Sequence, residues 1–296
     1  MSKDSTHAPP ARAFFFGFVA VLIFSFTLPA MRLAVASLDP LLVALGRSLA
    51  AACVAGPILY WTKQPLPSQV QLRGLSLVIL GIVIGFPLFV AIAMKKAPAS
   101  HGAVVLGLLP LGTSLVAALR ARERPVWTFW LAAILGSVVV LAFAWSADRR
   151  AFGTANLSLL LGVILGALGY AEGGRLAKEM GGWRVICWSL VLASPLLLLG
   201  VLLSLYWHGL EGTNSAWLGF FYLSFFSAFL GFFAWYHAMA LGGIAKISQL
   251  QLLQPFLTLL LAALFLGEDL NFNTGLAMLG VAVAIFLAQR SRVRKA

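Results

Sequence analysis

Charged side chains are scarce in this sequence. Asp, Glu, Lys and Arg make up 10% of its 296 residues and hydrophobic residues 61%, whereas soluble domains contain roughly 25% charged and 45–50% apolar residues. So few charges cannot cover a water-exposed surface, which excludes a soluble globular protein. The 21 basic and 9 acidic residues give a formal net charge of +12. Because these charges lie in short gaps between apolar runs and form no solvated basic face, we expect no nucleic-acid partner.

Cysteine and histidine are also few. Cys53 and Cys187 each lie inside an apolar run, which excludes a disulfide framework or a thiolate metal site, and we expect both side chains to be buried. The four histidines include no pair at metal-ligand spacing, and neither His-Glu-x-x-His nor Gly-x-Ser-x-Gly occurs. We therefore expect no metal, no cofactor and no enzymatic activity. An intramembrane enzyme and a scaffold subunit are the alternatives from other functional classes.

Acidic residues are absent from the centres of the apolar runs. Only Glu172 enters a run, near its end, and Arg175 three residues later predicts a local ion pair. A proton-coupled exporter of organic cations usually needs a carboxylate in the middle of the membrane. The sequence therefore favours facilitated diffusion or exchange of neutral or zwitterionic substrates.

Long apolar runs, by contrast, are abundant. A helix of about 20 apolar residues crosses a hydrocarbon core of about 30 Å. Ten runs near this length predict transmembrane helices, numbered here as spans 1 to 10: 14–36, 41–61, 73–94, 99–119, 126–146, 157–176, 184–206, 216–240, 246–266 and 273–289. Span 1 is too long for the apolar core of a signal peptide, so we expect it to remain as a membrane anchor.

Lysine and arginine are distributed unevenly between the two sets of connections. If the N-terminus is inside, fifteen lie in the cytoplasmic set and five on the opposite side, while Arg47 lies within span 2. Short loops rich in Lys and Arg stay on the cytoplasmic side. Both termini are therefore predicted to be cytoplasmic.

The two halves of the chain show a weak internal repeat at an offset of about 145 residues. The stretch Leu109–Glu123 aligns with Gln254–Glu268, and the repeats are predicted to cover 14–146 and 157–289. Each holds five spans, an odd number, so the second repeat enters the membrane from the opposite side. Inverted repeats of this kind are typical of secondary transporters, which bind substrate near the midplane at the repeat interface.

Two prolines lie in the middle of equivalent spans. Pro110 in span 4 and Pro255 in span 9 are related by the repeat. A proline inside a helix removes a backbone hydrogen bond, and in a membrane this defect is tolerated only where protein or a cavity satisfies the backbone. Both prolines are therefore candidates for helix breaks and gating, with a simple kink as the alternative.

The end of the second repeat carries a recognisable pattern. It consists of Pro255-Phe256-Leu257-Thr258, then Leu264-Phe265-Leu266-Gly267-Glu268, then Gly275 and Gly280 in the last span. This pattern resembles that of the drug/metabolite transporter superfamily, in its ten-helix EamA-type branch. The first half keeps Pro110 and Glu123 but has Arg122 where the pattern favours glycine.

Within that branch the chain is similar to the YddG-type aromatic amino acid exporters. The resemblance implies a central cavity formed by spans 1–4 and 6–9, with spans 5 and 10 at the periphery. It also implies outward movement of hydrophobic or aromatic amino acids.

Polar residues inside the spans are candidate substrate ligands, because such residues usually face the interior of a helix bundle. Gln251, Gln254 and Thr258 lie on one face of span 9, and glutamine can bind both the carboxylate and the ammonium of a zwitterion. Hydrogen bonding between helices is the alternative role. The remaining candidates are Tyr236, His237, Trp235, Tyr170, Ser25, Thr27 and Arg47.

Arg47 and the aromatic residues of span 8 each have more than one interpretation. Arg47, six residues into span 2, could bind a substrate carboxylate, form a structural ion pair or extend to the membrane surface. Span 8 carries an aromatic stripe that could face lipid or line the site as an apolar wall for a flat side chain. The stripe consists of Phe221, Phe225, Phe229, Phe232 and Tyr236.

The sequence thus predicts an all-α membrane protein of ten transmembrane helices, arranged as two inverted five-helix repeats around a central cavity, with both termini cytoplasmic. Its predicted function is that of a secondary transporter that exports small zwitterionic metabolites, above all aromatic or hydrophobic amino acids, across the bacterial inner membrane by alternating access. A multidrug or organic-cation exporter of the same superfamily is the alternative. The expected partners are the small-molecule substrate and membrane lipids. We expect a monomer, with an oligomer left open.

Overall fold

The structure, a computed structural model, describes residues 11–121, 123–147 and 154–267, together with 275–276, 279–280, 282–284, 286–287 and 293–295. Apart from two three-residue strands, the secondary structure of this part of the chain is helical. In chain order the elements are α1 (Ala11–Ser25), α2 (Thr27–Ala34), α3 (Pro40–Trp61), α4 (Gln69–Val78), a π-helix (Ile79–Gly85), α5 (Phe86–Met94), α6 (Ala99–Leu106), α7 (Leu109–Arg120), β1 (Glu123–Pro125), α8 (Trp127–Ala147), α9 (Thr154–Met180), α10 (Gly182–His208), α11 (Asn214–Tyr222), a second π-helix (Leu223–Leu230), α12 (Gly231–Gly242), α13 (Ile244–Ser248), a 3₁₀ helix (Gln249–Leu253), α14 (Gln254–Leu266) and β2 (Val293–Lys295).

Eight helical segments of the described chain are long and apolar enough to cross a membrane. They coincide with predicted spans 1–4 and 6–9: Ala11–Ala34, Pro40–Trp61, Gln69–Met94, Ala99–Arg120, Thr154–Met180, Gly182–His208, Asn214–Gly242 and Ile244–Leu266. Helix α8 occupies predicted span 5. Predicted span 10 lies largely outside the described residues, although those described between 275 and 287 are helical.

Span 1 is interrupted in its interior, and Pro29 explains the interruption. Helix α1 ends at Ser25 and α2 begins at Thr27. In an α-helix the carbonyl of residue 25 would accept a bond from the N–H of residue 29. Residue 29 is Pro29, which has no N–H. The carbonyl of Ser25 therefore needs a donor from elsewhere.

Spans 3 and 8 each contain a π-helical turn. The two turns, Ile79–Gly85 and Leu223–Leu230, begin 144 residues apart and end 145 residues apart. This spacing is close to the offset of the sequence repeat. Because a π-turn holds an extra residue per turn, it changes which side chains face the bundle beyond it, and such turns are frequent at functional sites.

Spans 4 and 9 are broken at equivalent places. Helix α6 ends at Leu106 and α7 begins at Leu109, with Pro110 as its second residue. In span 9 the 3₁₀ helix ends at Leu253, and α14 has Pro255 as its second residue. Proline is well tolerated in the first turn of a helix because the missing N–H would have no partner there. Each proline therefore begins a new helix rather than kinking a continuous one.

The connections gather at two opposite ends of the bundle. One end, called here the basic end, carries Arg120, Glu123 and Arg175. The other, called the far end, carries Lys96, which donates to Thr154 at 3.1 Å, and Ser37, which contacts Thr213. Helix α1 begins at the basic end, where Ala13 packs beside Gly242, whereas α9 begins at the far end. At the basic end, β1 also pairs antiparallel with β2.

The interior is packed with small and aliphatic side chains, so that helices approach closely. A Cβ placed on Gly81 would lie 2.5 Å from the carbonyl oxygen of Leu165 and 2.8 Å from the backbone of Gly169. Spans 3 and 6 therefore touch through their backbones. Cys187 is buried as predicted, but the prediction is wrong for Cys53, which is exposed. In a membrane protein an apolar residue can face lipid as readily as the core.

Candidate functional site

Span 9 supplies the hydrogen bonds that the broken backbone of span 1 lacks. The Thr258 hydroxyl donates to the carbonyl of Ser25 at 2.9 Å, and the Gln254 side-chain amide donates to the carbonyl of Phe24 at 3.3 Å. The hydroxyl of Ser25 itself donates to Val21 within its own helix. Gln254 and Thr258 thus join spans 1 and 9, the structural role that the sequence left as an alternative.

Tyr170 lies at the centre of the candidate site. Its side chain is 2% exposed, and its hydroxyl accepts a hydrogen bond from the Gln251 side-chain amide at 3.3 Å. Its ring centroid lies 5.7 Å from that of Trp235 and 6.4 Å from that of Phe24. Ser25 and Tyr170 are 145 residues apart, so equivalent positions of the two repeats meet in the same region.

Arg47 is enclosed by the protein. It is 2% exposed, and its guanidinium lies in the neighbourhood of the Tyr170 hydroxyl. Within the described residues neither its Nε nor its Nη1 has a hydrogen-bond partner, and none of the ion pairs found there includes it. The side chain therefore does not extend to the membrane surface. Burying a charge without a counter-charge costs roughly several kcal/mol. Arg47 is therefore suited to bind an anionic group.

Unpartnered polar atoms concentrate at this site. Among the described residues eight buried side-chain nitrogen or oxygen atoms have no hydrogen-bond partner, and five of them belong to Arg47, Trp235, Gln251 and Gln254. The arginine and tryptophan atoms are donors, and the glutamine Oε1 atoms are acceptors. The orientation of Gln254 follows from its contact, because the carbonyl of Phe24 can only accept. The site thus offers donors and acceptors to one small polar molecule.

A small cavity adjoins the two glutamines. It is lined by Gln251, Gln254, Pro255 and Thr258 of span 9 and by Ala103, Leu106 and Leu109 of span 4. Its volume is about 10 Å³, roughly what one water molecule needs. A ligand larger than water would fit this cavity only if the helices that line it separate.

Aromatic rings form one wall of the site. The centroid of Phe232 lies 5.1 Å from that of Phe24 and 5.7 Å from that of Tyr170. The predicted aromatic stripe of span 8 divides between two environments, because Phe221 is 52% exposed whereas Phe232 is 3% exposed. The π-helix between them changes the face that the stripe presents. Tyr236, which is fully buried, donates to the carbonyl of Gly169.

Several predicted candidates lie away from this cluster. His237 is exposed, and its ring meets that of Phe16 edge-on at 4.8 Å. Thr27 contacts the hydroxyl of Ser227 at 2.8 Å. Pro110 lines a second small cavity with Gln249 and residues of α8, whereas Pro255 lines the cavity beside Gln254.

The structure adds a polar contact that sequence reasoning missed. The Gln249 side-chain amide donates to the Ser114 hydroxyl at 3.2 Å, and that hydroxyl also lies 3.3 Å from the Ser248 hydroxyl. These buried residues join spans 4 and 9. Their signal in the sequence was the same as that of Gln251, a polar side chain inside an apolar span.

Charged groups join the two halves at the basic end. The predicted pair of Glu172 and Arg175 is present at 2.7 Å, and Arg120 binds the same carboxylate at 2.9 Å. Glu123, 3% exposed, accepts from the backbone N–H groups of Ile244 and Ala245 at 2.9 and 2.8 Å. Its carboxylate thereby caps the start of span 9, where a helix favours negative charge.

Metal ligands do not converge in the described part of the chain, where no three His, Cys, Asp or Glu side chains could hold an ion together. The candidate site is instead built from one cation, neutral amides, hydroxyl groups and aromatic rings.

Comparisons with known proteins agree with this architecture. The profile of the EamA-like transporter family matches residues 11–152 and again residues 153–289. The chain is 39% identical over 287 residues to the uncharacterized transporter YdeK of Bacillus subtilis (strain 168), covering 94% of this chain and 96% of that protein. A crystal structure with 18% sequence identity superposes with a TM-score of 0.73, covering 94% of this chain and 98% of the other, which shows a shared fold. The protein therefore belongs to the EamA-like transporter family and is a multi-pass integral membrane protein.

Proposed function

We propose that the protein is a secondary transporter that exports small zwitterionic metabolites, above all aromatic or hydrophobic amino acids, across the bacterial inner membrane. The observation that carries the proposal is the group of buried, unpartnered donors and acceptors around Tyr170, where broken spans 1 and 9 meet. A free amino acid presents the complementary set, namely a carboxylate that accepts and an ammonium that donates.

Each part of an amino acid has a counterpart in the site. The carboxylate binds Arg47 and the indole N–H of Trp235, and the ammonium binds the Oε1 atoms of Gln251 and Gln254. The side chain packs against the rings that surround Tyr170. Such rings bind flat apolar groups well.

The proposed architecture is ten transmembrane helices in two inverted five-helix repeats, with both termini cytoplasmic. The two consecutive family matches support it, as do the equivalent π-turns and the helix starts at Pro110 and Pro255. The opposite starting ends of α1 and α9 also support it. Alternating access would then open the bundle at one end while contacts at the other end hold the halves together.

An organic-cation exporter is the less favoured alternative. Arg47 would repel a cationic substrate, and the buried carboxylates described, Glu123 and Glu172, already bind Lys178 and two arginines. A cation entering the site would therefore meet no free negative charge among the described residues.

Flux measurements in proteoliposomes of the purified protein test the function. Vesicles are loaded with labelled phenylalanine, tryptophan or leucine, or with cationic dyes, and efflux is followed with and without an imposed pH gradient. We expect amino acid efflux that needs no pH gradient. Protein-free vesicles and the variant Cys53→Ser, changed at an exposed position, serve as controls. Efflux of dyes without amino acids would overturn the proposal.

A further inference from the structure

We propose that this site recognises its substrates by their carboxylate, and that the amino group is dispensable. The substrate class is then monocarboxylates with an apolar or aromatic body, of which amino acids are one part. This inference rests on the proposed transport function and defines what the same site accepts.

The charge of the site favours a carboxylate. Arg47 is buried, and among the described residues no anion is paired with it. The other carboxylates in the described interior have partners of their own. Glu123 binds Lys178 and two backbone N–H groups, Glu172 binds two arginines, and Asp39 caps the start of α3. The buried and unpaired charge of Arg47 therefore favours a negative group brought by the substrate.

The carboxylate and the ammonium of a bound zwitterion meet different groups in the site. A carboxylate on Arg47 makes hydrogen bonds between full charges, which are roughly twice as strong as neutral ones. The ammonium meets only neutral amide oxygens of Gln251 and Gln254. A ligand without an ammonium leaves those two oxygens without a hydrogen-bond partner, as they are in this structure. A ligand without a carboxylate leaves the charge of Arg47 uncompensated, and its ammonium brings a second positive charge into the site.

The net charge that crosses the membrane depends on whether the substrate has an amino group. A zwitterion carries no net charge, whereas its deaminated analogue carries one negative charge. A potential that is negative inside drives anions outward and leaves zwitterions unaffected. Export of the deaminated analogue should therefore respond to membrane potential, and export of the amino acid should not.

Three matched ligands test the inference: phenylalanine, 3-phenylpropanoate, which lacks the amino group, and 2-phenylethylamine, which lacks the carboxylate. Binding to the purified full-length protein is measured by calorimetry, and efflux is measured from proteoliposomes against protein-free vesicles. We expect phenylalanine and 3-phenylpropanoate to bind and be transported, and the amine to bind roughly ten-fold more weakly or worse. A potassium diffusion potential, negative inside, should accelerate efflux of 3-phenylpropanoate alone.

Substitution of the cation completes the test. Arg47→Gln should weaken binding of both carboxylates by roughly ten-fold or more and abolish the discrimination against the amine. Arg184→Gln is the matched control, because Arg184 lies over the ring of Trp183 at the start of α10, away from the site. The three-ligand comparison on the wild-type protein decides the question even if Arg47→Gln does not fold.

The outcomes separate this inference from the function on which it rests. If the wild-type protein carries phenylalanine but neither binds nor carries 3-phenylpropanoate, the inference is wrong and the transport function stands. Equal handling of the amine and the carboxylate would also overturn it. Failure to carry any amino acid would overturn the proposed function itself.

Discussion

Pro29 and Thr258 show how two residues far apart in sequence define one structural feature. Pro29 cannot donate to the carbonyl of Ser25, and Thr258 supplies the missing hydrogen bond at 2.9 Å from another span. A break in a membrane helix persists only where such a donor exists. The break in span 1 therefore depends on span 9, and any movement that separates the two spans exposes that carbonyl.

Replacing Thr258 by valine tests this dependence. Thr258→Val keeps the shape of the side chain but leaves a buried carbonyl oxygen unpaired, so we expect a loss of about 1–3 kcal/mol in stability. Thr258→Ser keeps the hydroxyl and should lose less. Thermal unfolding of the detergent-purified variants measures the difference, and equal melting temperatures for the two variants would contradict the assigned role.

Most residues of the candidate site could be predicted because a polar side chain inside an apolar span avoids lipid and faces the interior of the bundle. Gln251, Gln254 and Tyr170 converge for this reason. The interior position of Arg47 could only be left as one of three interpretations, because its surroundings come from other spans. His237 could not be placed, since a π-turn earlier in span 8 changes which residues face inward.

Close helix contacts act at the scale of whole elements. The π-helix Ile79–Gly85 brings Gly81 against the backbone of span 6. A larger residue at this point would push two spans apart along their length. The apolar runs that predicted the spans gave no indication of the π-turns, because their composition matches that of the helices around them.

A substitution at Gly81 should therefore be costly. Gly81→Ala places a Cβ at 2.5 Å from the carbonyl oxygen of Leu165, and such overpacking destabilises by about 1–3 kcal/mol or more. Gly56→Ala is the matched control, because its nearest neighbour lies at 4.0 Å, and alanine favours a helix over glycine by up to about 1 kcal/mol. Fluorescence-detected size exclusion after heating compares the two, and equal stability would contradict the contact.

Charged contacts at the basic end hold the two halves of the molecule together. Glu123 belongs to the first half and accepts from the start of span 9 in the second. Its place next to a helix start could not be predicted, because the sequence indicates only that it ends span 4. The helical character of the chain and eight of the spans could be predicted, since they depend on run length alone.

Glu123→Ala should lower stability by about 1–3 kcal/mol, because it removes a buried acceptor from two backbone N–H groups. Glu179→Ala removes a carboxylate that is 45% exposed and bound to Arg175, and should cost about 1 kcal/mol or less. Melting temperatures in detergent distinguish the two. A larger loss for Glu179→Ala would show that the contact of Glu123 is not structural.

The proposed sidedness can be measured with a matched pair of cysteines. Leu66, 82% exposed, follows span 2, and Leu210, 58% exposed, precedes span 8. In a background of Cys53→Ala and Cys187→Ala, we expect a membrane-impermeant maleimide to label Leu210→Cys in intact cells and Leu66→Cys only after permeabilisation. The reverse result would invert the orientation.

The pairing of β1 with β2 also has a practical consequence for anyone who handles the protein. Residues 293–295 pair with Glu123–Pro125, beside the carboxylate that caps span 9. An affinity handle or fluorescent reporter attached directly to these residues would crowd the contact between the two strands. Handles for flux assays are therefore better placed away from β2.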